Sequence, residues 1–374
     1  MKIVHLSDTH LGFRQLHRVN DAGRNEREQD VYDVFERAIS KTIELAPALA
    51  IHAGDLFDSY HPSSAALGVA LDGLRRLRDA GIPVVVIAGN HSSPRAAAAE
   101  HIFAVLKRFG GAHMVYGESR DVRVGDLAVH AIPHDNDPQR LMAALRRARP
   151  AADAEFNVLA THVGLDGLGK VVGAEAGSVT LSGEVLAGTG EFDYIALGHL
   201  HKFAPAIGNA AYAGSLERLS WADDAPVKGI VEVDLAAGRQ SPDYLTLHPI
   251  EGRRFVTLEP VDAATVANLS DAIIARADGA DLAGAMVRLS VRNVSVADWN
   301  AVDHKAIAAA YAHCLHFERE PQLIGAAPMA AAAAPGLRDF LLGWAGEHAP
   351  GLDPDNFVAR AEAFIALADQ ELAA

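Results

Sequence analysis

Five apolar runs within the first 200 residues each end in side chains that bind metal ions, and this repetition constrains the fold more than any other feature of the chain. Ile3-Val4-His5-Leu6 precedes Asp8 and His10, and Leu49-Ala50-Ile51 precedes Asp55 and Asp58. Val84-Val85-Val86-Ile87 precedes Asn90 and His91, Val158-Leu159-Ala160 precedes His162, and Tyr194-Ile195-Ala196-Leu197 precedes His199 and His201. Short apolar stretches bounded by turn residues read as buried strands, and in open α/β sheets ligands gather beyond the carboxyl ends of the strands. The pattern therefore predicts an α/β chain with one metal site assembled from five loops.

Between these runs, apolar residues recur at helical spacing over Asp30–Leu45 (Val31, Val34, Phe35, Ala38, Ile39) and over Ser63–Leu77 (Leu67, Leu71, Leu74, Leu77). After Gly111 the pattern changes to paired strands, Val122–Val124 and Leu127–Ile132 about a Gly125-Asp126 turn, then Ala211–Ala213 and Gly229–Val233, which implies a second sheet layer. Residues 1–250 thus form the main domain. A β-α-β-α-β run over 251–322 predicts a small separate domain: strand Arg254–Glu259, helix Ala263–Ala277, strand Ala285–Arg292, helix Val296–Ala312 and strand Cys314–Glu318. An Ala/Pro linker occupies 323–335, and 336–374 reads as C-terminal helices around Leu337–Trp344 and Asn356–Ala368.

Composition limits the chemistry. The single cysteine, Cys314, excludes a disulfide framework and a thiolate-held zinc, so oxygen and imidazole must supply the ligands and a reducing cytoplasm is the expected compartment. A strand begins at once with no charged and then apolar leader, and no apolar run approaches the roughly 18 residues of a membrane span. The formal net charge of −15 excludes nucleic-acid binding through a global basic field. Bound cations would reverse the local sign.

Asp8 and His10, two residues apart, leave extended backbone on the same side. Gly54 precedes Asp55 and would allow a sharp turn before a carboxylate able to bridge two ions, and a second glycine turn is expected at Gly198, before His199 and His201. Asn90 offers a neutral oxygen, and His91 beside it an imidazole free to act as an acid. His162 by itself reads as a buried structural histidine, and only the other four motifs make it a ligand. Structural roles are expected for His5, His52, His101, His113, His130 and His134, and Asp58 reads equally as a helix cap or a phosphate contact. The loop Phe13–Asp30, with Arg14, Arg18, Arg24 and Arg27 balanced by acids, is either a solvated loop or a DNA contact, and Lys202 and Arg218 are better placed for backbone phosphates.

In this order the motifs resemble the calcineurin-like metallophosphoesterase superfamily. His-Leu-Ser-Asp-Thr-His-Leu-Gly at 5–12, Ala-Gly-Asp-Leu-Phe-Asp at 53–58, Asp-Tyr-Ile-Ala-Leu-Gly-His-Leu-His-Lys at 193–202 and Tyr-Ala-Gly-Ser-Leu-Glu-Arg at 212–218 are similar to its SbcD-type DNA-repair nuclease branch. The resemblance implies a two-sheet sandwich flanked by helices, with the small domain as a cap. It implies that Asp8, His10, Asp55 and His201 hold one ion and Asp55, Asn90, His162 and His199 the other, with His91 as general acid. It also implies two Mn(II) ions, Fe(II) being compatible with the same donors. DNA is the implied substrate, and the implied assembly is a homodimer with an SbcC-like coiled-coil ABC-type ATPase bound by the C-terminal helices. Ser92 stands where the family has aspartate, so a weakened or retuned His91 is expected. The shared site is equally compatible with a small-molecule or cyclic-nucleotide phosphodiesterase or phosphatase, and a non-catalytic DNA-end tether is a third reading.

Overall fold

All five apolar runs form strands, and burial of both strand faces is what makes them read as continuous rather than alternating apolar stretches. The computed structural model describes residues 1–93, 100–166, 179–189, 191–206, 208–223 and 227–324. The chain divides after Phe255 into two units. In order, the first contains β1 (Lys2–Leu6), α1 (Glu26–Leu45), β2 (Leu49–His52), α2 (Ser64–Asp79), β3 (Val84–Ile87), α3 (Ile102–Phe109), β4 (His113–Val115), β5 (Arg120–Val124), β6 (Leu127–Ile132) and α4 (Pro138–Arg147). It continues with β7 (Phe156–His162), β8 (Gly164–Leu165), β9 (Thr180–Leu181), a 3-10 helix (Gly183–Thr189), β10 (Tyr194–Gly198), β11 (Ala204–Pro205), β12 (Ala210–Tyr212), β13 (Gly229–Asp234) and β14 (Leu245–Pro249).

These strands make two six-stranded sheets, ordered β14-β13-β1-β2-β3-β4 and β11-β12-β10-β7-β6-β5. In the first, β1 to β4 are parallel. In the second, β6, β7, β10 and β12 are parallel. Ile3, Ile51, Val85 and Ile87 of one sheet share a core with Val129, Val158, Ala160 and Tyr194 of the other. On the outer faces, α1 and α2 bury Val31, Phe35, Leu74 and Leu77 against the first sheet, and α4 buries Leu141 and Leu145 against the second. The result is a two-sheet sandwich flanked by helices.

Helix α1 starts at Glu26, before the stretch its apolar period marks, because Asn25 accepts hydrogen bonds from the Arg27 and Glu28 backbone N–H groups and two acids lie in the first turn. That capped start takes the last five residues, Glu26–Asp30, out of the Phe13–Asp30 loop. The two sheets are stitched at their carboxyl ends, where the His134 backbone N–H donates to the Ala88 carbonyl at 2.9 Å.

The second unit has β15 (Phe255–Thr257), β16 (Val261–Asp262), α5 (Leu269–Ile274), β17 (Met286–Ser295), α6 (Val296–Ala301), α7 (His304–Ala310) and β18 (His316–Ile324). The two long helices expected here are broken. Asp262 caps a short 3-10 turn, and Asn268 then caps α5 by accepting from the Asp271 N–H, so neither side chain lets one helix run from 263 to 277. Extended backbone at Val302 ends α6, and Asp303 accepts from the Lys305 and Ala306 N–H groups to start α7. Strand β18 pairs with β17 as far as Ile324, beyond the expected end at Glu318 and into the stretch read as linker. The remaining linker residues, 325–335, and the helices expected at 337–344 and 356–368 lie outside the described residues.

Candidate metal centre

Parallel strands place all five donor loops at one end of the sandwich. The loop after β1 lies on the loop after β2, the Asp8 N–H donating to the Gly54 carbonyl and the His10 N–H to the Asp55 carbonyl, both at 3.0 Å. The backbone of Asp8 and His10 is not extended as the two-residue spacing suggested. Asp8 (φ 51°), His10 (φ 46°) and Asp55 (φ 49°) are left-handed, and His199 has φ 102°. Non-glycine residues held there cost on the order of 1–3 kcal/mol each and persist where surrounding structure fixes them. Gly198 is no turn glycine either: its backbone has ordinary φ, and a Cβ added to it would lie 1.8 Å from the Ala53 carbonyl oxygen. It is glycine because β10 passes against the end of β2, and the turn falls on His199 itself. Gly54 does take φ +102°, and its missing side chain also admits the His162 ring.

Six of the seven expected ligands, Asp8, His10, Asp55, Asn90, His162 and His199, are buried, and His201 is half-buried. His10 Nε2 and His201 Nε2 are 3.1 Å apart, and with an Asp8 oxygen they form a set whose donor atoms lie within 4.8 Å of one another. Asp8, Asp55 and His162 form a second such set. His162 Nε2 lies 3.0 Å from Asn90 Oδ1 and 3.1 Å from Asp55 Oδ2. The His199 ring packs edge-on against that of His162, centroids 5.3 Å apart, while its backbone N–H donates to both Asp8 carboxylate oxygens at 3.0 and 3.1 Å. All seven residues are therefore brought together.

The donor chemistry fits a pair of divalent cations. Asp55 Oδ1 accepts from the His91 N–H at 2.9 Å, and the buried Oδ2 lies 3.1 Å from His162 Nε2 without a well-aligned hydrogen bond. A buried carboxylate oxygen is costly unless it meets a cation, here a protonated His162 or a metal ion in place of that proton. His162 is fixed through Nδ1, 2.9 Å from the Ala53 carbonyl, which leaves Nε2 to face Asn90 and Asp55. Burial opposes a charge on that ring, yet Asp55 and Asp8 outweigh it and raise its pKa to about 9. Burial likewise opposes ionisation of Asp55, but the nearby His162, His91 and His10 imidazoles hold its carboxyl well below the ordinary range. Asp8, pushed up by burial with Asp55 adding to the effect, reaches about 6. So much negative charge around one imidazole is what a cation displacing that proton would neutralise.

His91 is half-buried at the edge of the cluster, and its Nδ1 is 2.8 Å from the Asp58 backbone carbonyl. That carbonyl orients the ring. Ser92, expected to weaken or retune His91, is fully buried with an Oγ that has no hydrogen-bond partner. Of the loop arginines, Arg27 is fully buried in ion pairs with Asp30 and Glu217, and Arg14 makes a bidentate contact to Glu28 at 3.0 and 3.1 Å. Neither is a free phosphate contact.

Sequence reasoning did not identify several supporting groups. Ser7 Oγ donates to Asp8 Oδ2 at 2.5 Å, and the buried Lys228 Nζ donates to the His201 carbonyl at 2.5 Å and to Ser215 Oγ at 2.8 Å while pairing with Asp223. Burial lowers the Lys228 pKa against the pull of Asp223. Ser7 and Ser215 lie inside the quoted motifs, which is the signal that could have found them. Lys228 lies outside every motif and carried no such signal.

A family model described as calcineurin-like phosphoesterase matches residues 1–203. Among curated proteins, the chain is 35% identical over 202 residues to the DNA double-strand break repair protein Mre11 of Sulfurisphaera tokodaii, covering 54% of this chain and 49% of that protein. It is 28% identical over 277 residues to the Mre11 protein of Methanocaldococcus jannaschii, 70% of each, and 32% identical over 206 residues to that of Saccharolobus solfataricus, 54% of this chain and 49% of that one. The chain thus spans about half the length of the first of these relatives.

Proposed function

Because the chain belongs to the calcineurin-like phosphoesterase family, we propose that it is a manganese-dependent DNA nuclease that processes DNA ends in double-strand-break repair. The observation that carries the metal chemistry is the convergence of the seven expected ligands from five loops, with the buried Asp55 carboxylate facing His162 Nε2 at 3.1 Å. The ligand sets are those the motifs suggest: Asp8, His10, Asp55 and His201 for one ion, and Asp55, Asn90, His162 and His199 for the other. When bound, two divalent cations supply Lewis-acid charge at the phosphodiester and a nucleophile at neutral pH. The protein's own part is to keep His10 and His162 presenting Nε2, to hold the Asp55 carboxyl ionised, and to aim the His91 ring. With Nδ1 tied to the Asp58 carbonyl, His91 Nε2 carries the proton passed to the departing oxygen. DNA as substrate is supported by the similarity to DNA double-strand break repair proteins. The SbcC-like ATPase partner, the homodimer and the cytoplasmic setting are supported by the resemblance of the motifs to the SbcD-type branch, and among the described residues no helix is long and apolar enough to cross a membrane.

The test is release of nucleotides from an end-labelled duplex, with a cyclic nucleotide assayed in parallel, with and without Mn(II). Manganese-dependent cleavage of the duplex is expected, lost on Asp55→Ala and reduced about 10²- to 10⁴-fold on His91→Ala. Activity confined to the cyclic nucleotide overturns the nuclease assignment.

A further inference from the structure

Asp58 belongs to neither of the ligand sets that the motifs suggest, although its carboxylate lies within 4.8 Å of donor atoms of His10 and His91, and it touches the site in two places. Its carboxylate Oδ1 is 3.1 Å from His10 Nδ1, and its backbone carbonyl is 2.8 Å from His91 Nδ1. The opposite edge of the His10 ring is the one that faces His201, Nε2 to Nε2 at 3.1 Å. An imidazole can offer a lone pair at one nitrogen only while the proton sits on the other, and a carboxylate at Nδ1 fixes it there. Asp58 is itself held by backbone, its N–H donating to the Leu11 carbonyl at 3.2 Å while the Leu11 N–H donates to the Leu56 carbonyl at 2.9 Å. The loop carrying His10 and the loop carrying Asp58 are therefore one stitched unit, and the bridge between Leu11 and Phe57 sets the distance between carboxylate and ring. His10 is fully buried, so no water competes for Nδ1, while the Asp58 side chain is 32% exposed. The helix-capping role that its position suggested is filled by Ser63, which accepts from the Ala66 N–H at the start of α2.

We propose that Asp58 is a positioning residue with two separable outputs: its side chain locks His10 in the tautomer that presents Nε2 to a cation, and its main chain aims His91. The proposal rests on the metal-ligand and acid assignments made above. It places Asp58 behind His10 rather than in the coordination shell, because the carboxylate meets the ring at the nitrogen remote from His201. Substitution of Asp58 then removes the first output and leaves the second, since a carbonyl survives any side-chain change.

The experiment compares the parent, Asp58→Ala, Asp58→Asn and Asp55→Ala by calorimetric titration of the metal-free full-length chain with Mn(II), and by cleavage rate as a function of Mn(II) concentration. In Asp58→Ala, one of two manganese equivalents should weaken by roughly 10- to 100-fold, the range seen when outer partners of metal-bound histidines are removed. Asp58→Asn, whose amide oxygen still accepts from Nδ1–H without the charge, should weaken less. Because His91 keeps its carbonyl, the Asp58→Ala rate at saturating manganese should return to within about threefold of the parent, whereas His91→Ala stays defective at every concentration. A purely structural Asp58 would alter stability and leave the manganese affinity of the folded protein unchanged. If Asp58→Ala binds both equivalents as the parent does while Asp55→Ala does not, the positioning role is wrong and the metal site stands. A parent that takes up no manganese, or an Asp55→Ala variant that titrates like the parent, removes the metal assignment and this role with it.

Discussion

Gly198→Ala adds a single methyl group at the point where β10 crosses the end of β2, and its effect can be worked out from the contacts. The added Cβ would sit 1.8 Å from the Ala53 carbonyl oxygen and 2.7 Å from His162 Nδ1, and since Cβ contacts below 3.0 Å are essentially never seen, the carbonyl must retreat by about 1.2 Å (3.0 less 1.8). It cannot rotate away cheaply, because it accepts the hydrogen bond from His162 Nδ1 at 2.9 Å and follows a strand whose residues are all buried. Overpacking of this kind costs typically about 1–3 kcal/mol, and losing the buried hydrogen bond adds about 1–3 kcal/mol, so a loss of about 2–6 kcal/mol is expected. That is a large share of a typical total of about 5–15 kcal/mol. Gly81→Ala is the matched control: Gly81 has φ +74° and no atom within 4 Å of the added Cβ, so only conformational strain of about 1–2 kcal/mol applies. Urea unfolding of both variants in EDTA measures the difference, and a manganese titration of the folded Gly198→Ala protein should show weakened binding, because His162 loses the contact that fixes its tautomer. If Gly198→Ala is no less stable than Gly81→Ala, the crowding argument is wrong.

The site was legible in the sequence to the extent that parallel strands impose it. Once Leu6, His52, Ile87, His162 and Gly198 end neighbouring strands pointing the same way, the residues that follow them must meet, whatever the loops do in detail. The loop conformations were not legible. An Asp-x-His spacing looks the same whether the backbone is extended or left-handed, and only the hydrogen bonds from Asp8 and His10 to the β2 loop select the latter. Capping competition hid the breaks at Asn268 and Asp303, since both lie within otherwise helical apolar spacing, and a polar side chain bonding its neighbours' N–H groups leaves no trace in periodicity. A further contact was hidden for a related reason: the sequence around His91 says nothing about a backbone carbonyl that arrives from Asp58, 33 residues earlier in the chain. The Lys228–Asp223 pair was invisible because its recipient, the His201 carbonyl, is a backbone atom.

That pair gives the next prediction. Both side chains are 4% exposed, so Lys228→Met leaves Asp223 as an uncompensated buried charge and should cost about 3–5 kcal/mol in urea unfolding, while Lys228→Met with Asp223→Leu should recover most of it; a single variant within about 1 kcal/mol of the parent refutes the reasoning. The final prediction concerns acid sensitivity. His5 is fully buried between the sheets, its Nδ1 2.8 Å from the Tyr194 hydroxyl, and burial, reinforced by His52, lowers its pKa to about 3, against about 6.5 in an unfolded chain. Between those values the unfolded state binds the proton and the folded state does not, so the stabilising contribution is fully present above about pH 6.5 and is lost as pH falls towards 3. Linkage over that window amounts to about 2 kcal/mol by pH 5 from this residue alone. His5→Leu removes the Tyr194 contact and lowers stability at every pH, but it also removes the proton, so the slope of unfolding free energy between pH 7 and pH 5 in EDTA should be shallower by about that amount. Equal slopes for parent and variant would mean that His5 is not neutral in the folded protein.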